Sequence, residues 1–197
     1  ILFSEGISAQ QIASVSKLSN LQFDHLNFSN GLSFNVVNSI VKDKQGFIWM
    51  ATSDGLNRYD GVNFKIYRHD IHNANSPASN RIHQMALDST GNIWMATDAV
   101  LTEYIPAVDS FKNFFVNTKS KSFSTHSPYV DANNVIWFGD NDGLCRLSNE
   151  GKIETFPIKH LLRRFSIGSI MEDDEGTIWI GTIQGLYRFN KKTHVFK

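Results

Sequence analysis

The sequence predicts an all-β fold, a propeller of four four-stranded blades, on three observations. The four tryptophans, Trp49, Trp94, Trp137 and Trp179, are separated by 45, 43 and 42 residues, a period that suits one propeller blade. Around each tryptophan the same residue types return in register. Between the turn residues lie short runs rich in aromatic and β-branched side chains, the composition of strands.

The columns of the repeat explain the elements in order. A first strand, as in Val37-Asn38-Ser39-Ile40-Val41 or Ser169-Ile170-Met171, precedes a turn opened by Asp43, Asp88, Asp131 or Asp173. Three residues after each Asp stands Gly46, Gly91, Asn134 or Gly176. Asp bonds its own downstream backbone, and Gly or Asn accepts the left-handed conformation such a turn needs. The second strand carries the Trp, as in Phe47-Ile48-Trp49-Met50-Ala51-Thr52. A second turn, closed by Gly55, Gly143 and Gly185 but by Val100 in the second copy, leads to an alternating third strand such as Leu56-Asn57-Arg58-Tyr59. The fourth strands are Phe64–Tyr67, Phe111–Phe114, Ile153–Phe156 and Thr193–Phe196. Such sheets bury their faces on one another when packed radially, with each Trp expected between blades.

Residues 31–70, 80–118, 125–158 and 166–197 read as blades 1 to 4. Residues 1–20 read as an N-terminal tail, in which Ser4 to Ala9 resembles the end of a secretory signal. Residues 21–30 read as a lone closing strand, centred on Leu21-Gln22-Phe23-Asp24-His25-Leu26. That strand needs a three-stranded partner, and the fourth blade already has its own last strand. The expectation is therefore an arc of a larger ring. Closure as four blades, or as two chains in an eight-bladed ring, are the alternatives.

Composition narrows the function. Nineteen Lys+Arg balance nineteen Asp+Glu, without the basic excess that replaces phosphate counterions on nucleic acid. The single cysteine, Cys145, excludes an intrachain disulfide framework and reads as a buried small hydrophobe. No apolar run approaches the ~20 residues that cross a bilayer.

The run Asp-x-x-Gly-x-Ile-Trp followed by Gly-Leu-x-Arg-aromatic, clearest from Asp173 to Phe189, resembles the two-component regulator propeller repeat over residues 20 to 197. The resemblance implies the periplasmic sensor region of a hybrid histidine kinase that detects oligosaccharides from polysaccharides. It further implies that the larger ring is seven-bladed and that the parent is homodimeric, with the membrane reached only through other regions of that parent. No kinase or other catalytic motif lies in these residues, and no cofactor or metal is expected. His69 and His72 flank Asp70, but metal sites need three or four donors. A propeller enzyme of streptogramin-lyase or glycosidase type, and a protein-binding scaffold, are the other readings. The acid pairs Asp140/Asp142 and Asp173/Asp174 sit in turns, and glycosidases need two carboxylates at a controlled separation. Arg58, Arg146 and Arg188 recur nine residues after their Trp, with Glu103 in the second copy; recurrence points to a stem covering a sheet face. Ligands of propellers meet the loops at one face of the ring. The candidate ligand-binding residues are therefore Asn35, Arg81, His126 and Arg164, before first strands, and Asp54 and Asp140, after the Trp strands.

Overall fold

The computed structural model describes residues 23–98, 100–115, 125–148, 150–158 and 167–197. They form four separate antiparallel sheets of four strands each, every one in plain sequential order. Blade 1 holds β1 (Val37–Lys42), β2 (Ile48–Thr52), β3 (Gly55–Tyr59) and β4 (Phe64–Tyr67); blade 2 holds β5 (Ile82–Leu87), β6 (Ile93–Thr97), β7 (Leu101–Ile105) and β8 (Ser110–Phe114). Blade 3 holds β9 (His126–Val130), β10 (Ile136–Gly139), β11 (Gly143–Leu147) and β12 (Ile153–Pro157). Blade 4 holds β13 (Ile167–Glu172), β14 (Thr177–Thr182), β15 (Gly185–Asn190) and β16 (Val195–Phe196). Among the described residues no helix is long and apolar enough to cross a membrane.

The six-residue spacing from Asp to Trp has a direct cause. In every blade the indole N–H donates to one carboxylate oxygen of the turn Asp, at 2.7, 3.0, 3.0 and 2.6 Å in chain order. The other oxygen accepts backbone N–H groups two and four residues on, from Gln45 and Phe47 in blade 1 and from Thr90 and Asn92 in blade 2. The turn between them needs a left-handed residue, and Gly46, Gly91 and Gly176 have φ of 97°, 96° and 79°. Asn134 takes the same place at φ 61°. At Asp88 burial works to raise the carboxyl, but bonds from Thr90, Trp94 and the turn amides outweigh it and hold the pKa below the ordinary value.

The faces of Trp49, Trp94 and Trp137 are buried by the blade that follows, while Trp179 at the end of the arc is only partly buried. Trp49 packs with Leu56, Ile82, Met85 and Tyr104; Trp94 with Leu101, Phe138 and Cys145; Trp137 with Leu144, Ile167, Ile170 and Phe189. Polar ties add direction. Tyr67 and Tyr104 both donate to Asp109 Oδ1, at 2.8 and 2.7 Å, and Lys65 reaches Oδ2 at 2.7 Å. The Lys65 ammonium, with the two phenols, pulls the Asp109 pKa down to about 2. Between blades 3 and 4, Lys191 bridges Asp131 and Glu172, and Glu172 accepts from the Ala132 amide at 2.9 Å. The recurring arginines lie over rings of their own blades, Arg58 4.5 Å from Phe47 and Arg146 5.7 Å from Trp137.

The arc is open. First strands pack in the sequence β1, β5, β9, β13, and no comparable packing joins β13 to β1. Leu56, Leu101 and Leu144 are 0% exposed, whereas Leu186, in the same column of blade 4, is 65% exposed. At the other end Ile40 is 62% exposed, against 8% and 9% for its counterparts Met85 and Ile170. Where the sequence predicts a closing strand, Leu21 and Gln22 lie outside the described residues, and Phe23 to Asn27 belong to no strand. A 3-10 turn, Phe28–Asn30, follows, capped by Asn27, and the chain then crosses blade 1. There the Ser33 amide donates to Asn57 Oδ1 at 2.9 Å and the Ser33 hydroxyl meets Thr52 at 2.9 Å. The segment is held by these side-chain bonds rather than by a strand ladder.

Two outcomes follow from this packing. Asp88→Ala removes the acceptor of the Trp94 indole and of the turn amides, and should lower stability by about 3 kcal/mol in urea unfolding; a loss below roughly 0.5 kcal/mol would show the bonds to be incidental. The bare face of blade 4 should make the chain associate at raised concentration. Ile183→Lys with Leu186→Lys should reduce that association in sedimentation velocity without altering the β-sheet circular dichroism.

Candidate functional site

Propeller blades alternate strand direction, so starts of first strands and ends of Trp strands meet on one face. That face carries Asn35, Asp54, Arg81, Asp98, His126 and Asp140. Each first strand is also irregular at its entry. The pairing slips between Val37 and Ser39, between Ile82 and Gln84, and between Ile167 and Ser169. The extra residues are Asn38, His83 and Gly168. In blade 3 the slip falls one step later, past His126, where Ser127 takes φ 49°. Bulges bend a strand and re-aim its side chains.

Asn38, His83, His126 and Gly168 each stand eleven residues before their Trp. Two neighbouring blades therefore present histidine at the same place, and the rings lie with centroids 5.6 Å apart. His83 Nε2 is 2.6 Å from Asp98 Oδ1, and Arg81 Nη1 is 3.7 Å from Asp98 Oδ2. Burial, and then the proximity of His83, lowers the His126 pKa below its usual 6.5 despite the opposing pull of Asp98. His126 is therefore a neutral imidazole at pH 7, able to accept one hydrogen bond and donate another. Gln84 and Ser127, the residues that follow the two histidines, line a recess of about 240 Å³ with Asn38, Ser39 and Ser169 among others. Its side-chain polar groups are amides and hydroxyls.

The structure thus brings Arg81 and His126 together and adds His83 and Asp98, which sequence reasoning missed. The signal for His83 was present: it stands in the column of His126. Asp98 carries no comparable mark, because its column reads Ser53, Asp98, Asn141, Ile183. The other candidates lie apart from this group. Asp54 forms a two-bond ion pair with Arg68, at 3.2 and 2.8 Å. Asn35 accepts from the Phe28 amide at 2.8 Å and holds the entry turn. Arg164 lies outside the described residues.

Asp140 is fully buried, which removes it from the solvent-facing rim. Its column holds Thr52, Thr97 and Thr182 in the other blades. Each of those hydroxyls donates to a carbonyl three residues on, at 3.0, 2.7 and 3.0 Å. Asp140 Oδ1 instead accepts from the amides of Asp142 and Gly143, both at 2.8 Å. Oδ2 is buried without a hydrogen-bond partner among the described residues. Burial raises the Asp140 pKa. Cys145 is buried close by, and burial followed by the Asp140 charge pushes its thiol well above the ordinary value, which leaves it unreactive.

Catalysis by paired carboxylates has little to work with here. The channel-mouth group holds one carboxylate, Asp98, while Asp54 is paired and Asp140 is internal. Among the described residues no three His, Cys, Asp or Glu side chains gather to hold a metal; His69 is turned to the Pro77 carbonyl at 2.8 Å.

Comparison with known proteins adds an independent line. The family model described as "Two component regulator propeller" matches residues 31–54, 76–99 and 164–184. Over 58 residues the chain is 43% identical to Histidine kinase P4 of Formosa agariphila, covering 29% of this chain and 4% of that protein. The extracellular domain of a protein assigned as a hybrid two component system of B. thetaiotaomicron superposes with TM-score 0.70 at 21% identity, over 83% of this chain and 22% of that one. A second such extracellular domain from the same organism gives TM-score 0.50 at 25% identity, over 88% and 31%. Virginiamycin B lyase from Staphylococcus aureus gives TM-score 0.68 at 13% identity, over 87% and 57%. At such identities these likenesses are of fold, and the chain spans less than a third of the extracellular domains it matches.

Asp140→Thr restores the residue of the other three blades and should stabilise the chain at neutral pH by about 1 kcal/mol in urea unfolding. The sign follows from the raised pKa. The native carboxyl favours folding only while protonated, and that contribution is lost as pH rises from the unfolded value through the folded one. The advantage of Thr should therefore be small at pH 4 and larger at pH 7.

Proposed function

We propose that the chain, whose residues 31–54, 76–99 and 164–184 match the two component regulator propeller model, is part of the ligand-sensing region of a hybrid two component histidine kinase. In this reading it lies on the periplasmic side of the inner membrane, within a seven-bladed ring, and its parent acts as a homodimer. Its ligand is an oligosaccharide released from a polysaccharide. The match of the repeat model to three of the four blades carries the proposal. Support comes from the open arc, whose bare end faces are those that further blades of the same repeat would cover. Support comes also from the polar channel mouth, where hydroxyl-rich ligands find donors, acceptors and imidazole rings side by side.

A non-catalytic role suits a mouth whose Asp54 is held by Arg68 and whose Asp140 is internal. The streptogramin-lyase reading rests on a fold shared at 13% identity.

Thermal unfolding of the chain against a panel of defined oligosaccharides from plant and algal polysaccharides tests the proposal. A ligand at a hundredfold its Kd adds about 2.7 kcal/mol, a Tm rise of roughly 6–10 °C for a chain of this size. One saccharide class should raise Tm without being consumed. Turnover of a panel member would favour the enzyme, and an unchanged Tm across the panel would count against sensing by these blades.

A further inference from the structure

Resting on the saccharide reading above, we propose that Arg81, His83, Asp98 and His126 form a subsite that grips two adjacent hydroxyls of an uncharged sugar ring, with the channel recess receiving the end of that ring.

The repeat itself singles out this place. Polar side chains at the strand entries elsewhere tie one blade to the next: Asn38 donates to the Ile82 carbonyl at 2.8 Å, and Ser127 to the Ile167 carbonyl at 2.9 Å. His83 occupies the column of Asn38 but turns to Asp98, 2.6 Å away, and lies against His126. A repeat that abandons its own structural bond at one blade, and substitutes histidine there and in the next, departs where function departs from frame.

The chemistry of the group selects the ligand. Arg81 supplies donors, Asp98 supplies acceptors, and the two sit in loose contact at 3.7 Å with side chains 60% and 44% exposed. A hydroxyl both donates and accepts, so adjacent hydroxyls can satisfy guanidinium and carboxylate together. An anionic ligand would meet the Asp98 carboxylate, and a cationic one the Arg81 guanidinium. His126 faces His83 from β5 and Asp98 from the loop after β6, and its neutral ring adds an acceptor for a hydroxyl proton. Gln84 and Ser127, next in sequence after the two histidines, continue into a recess lined by amides and hydroxyls. At about 240 Å³ it is smaller than the ~300–1,000 Å³ of sites that enclose drug-sized ligands. It suits the end of a chain rather than an extended segment.

The test uses the whole chain labelled at histidine, titrated in NMR with methyl α-D-mannopyranoside, methyl α-D-glucopyranoside and sodium glucuronate. At least one uncharged glycoside should shift the His83 and His126 imidazole signals saturably, with glucuronate binding no tighter. Arg81→Ala and Asp98→Asn should each weaken binding about tenfold, with circular dichroism confirming the fold. Protonating His126 removes its acceptor, so affinity should fall as pH is lowered below 6.5, and His126→Gln should flatten that dependence. Tenfold tighter glucuronate binding, or no saturable shift up to about 100 mM glycoside, overturns the subsite. So does saturable binding that leaves both imidazole signals unmoved. A saccharide from the panel that still raises Tm in those cases preserves sensing and relocates the site; a silent panel removes the sensing reading itself.

Discussion

One carboxylate per blade holds the structure in register. Its two oxygens do different work: one closes the turn by accepting backbone amides, and the other fixes the indole that becomes the centre of the inter-blade core. Trp49, Trp94, Trp137 and Trp179 are thereby set at one height and one angle in four sheets. A large aromatic side chain pinned at its polar end presents a defined flat surface, and the following blade packs on that surface. Turn, strand pairing and inter-blade contact are coupled through a single residue type.

The consequence is an assembly that extends by rotating one blade onto the next. Each blade has a trailing face with Trp and Leu and a leading face with residues such as Met85 or Ile170. The three internal junctions bury both faces, and the two ends leave one of each kind bare, as Leu186 and Ile40 show. Burying one such leucine is worth about 1.5–3 kcal/mol, so uncovered ends are costly. Within this common scheme each junction has its own polar lock. Between blades 1 and 2 it is two tyrosines and a lysine on Asp109; between blades 3 and 4 it is Lys191 between Asp131 and Glu172. Asp109 and His194 occupy the same repeat position, both with left-handed backbone. His194 there packs on Phe156 and Phe189 instead of collecting hydroxyls.

The candidate site occupies the one part of the blade that the repeat leaves irregular. Strand entries at the channel mouth slip by a residue, and that slip frees side chains from strict alternation. Asn38 and Ser127 use the freedom to bond the next blade. His83 and His126 instead face each other across a blade junction, with Asp98 and Arg81 beside them. Asp140 shows the contrasting outcome, since a carboxylate in a loop position turned inward to replace a threonine and left the rim.

The sequence by itself determined the blade count, the strand order, the turn positions and the left-handed site at Asn134. All of these rest on interactions local in the chain: an Asp with amides two and four residues on, a Trp six residues on, and strands joined by short turns. It placed the candidates Arg81 and His126 at the entries of first strands for the same reason. That His83 and Asp98 join them, that Asp140 is buried and that Asp54 is held by Arg68 emerge only in the folded chain. Those outcomes depend on which side chains meet within a blade, across a strand slip or across a blade junction, contacts that join residues 14 to 45 apart in sequence. No periodicity in the chain encodes the direction a bulge gives to a side chain.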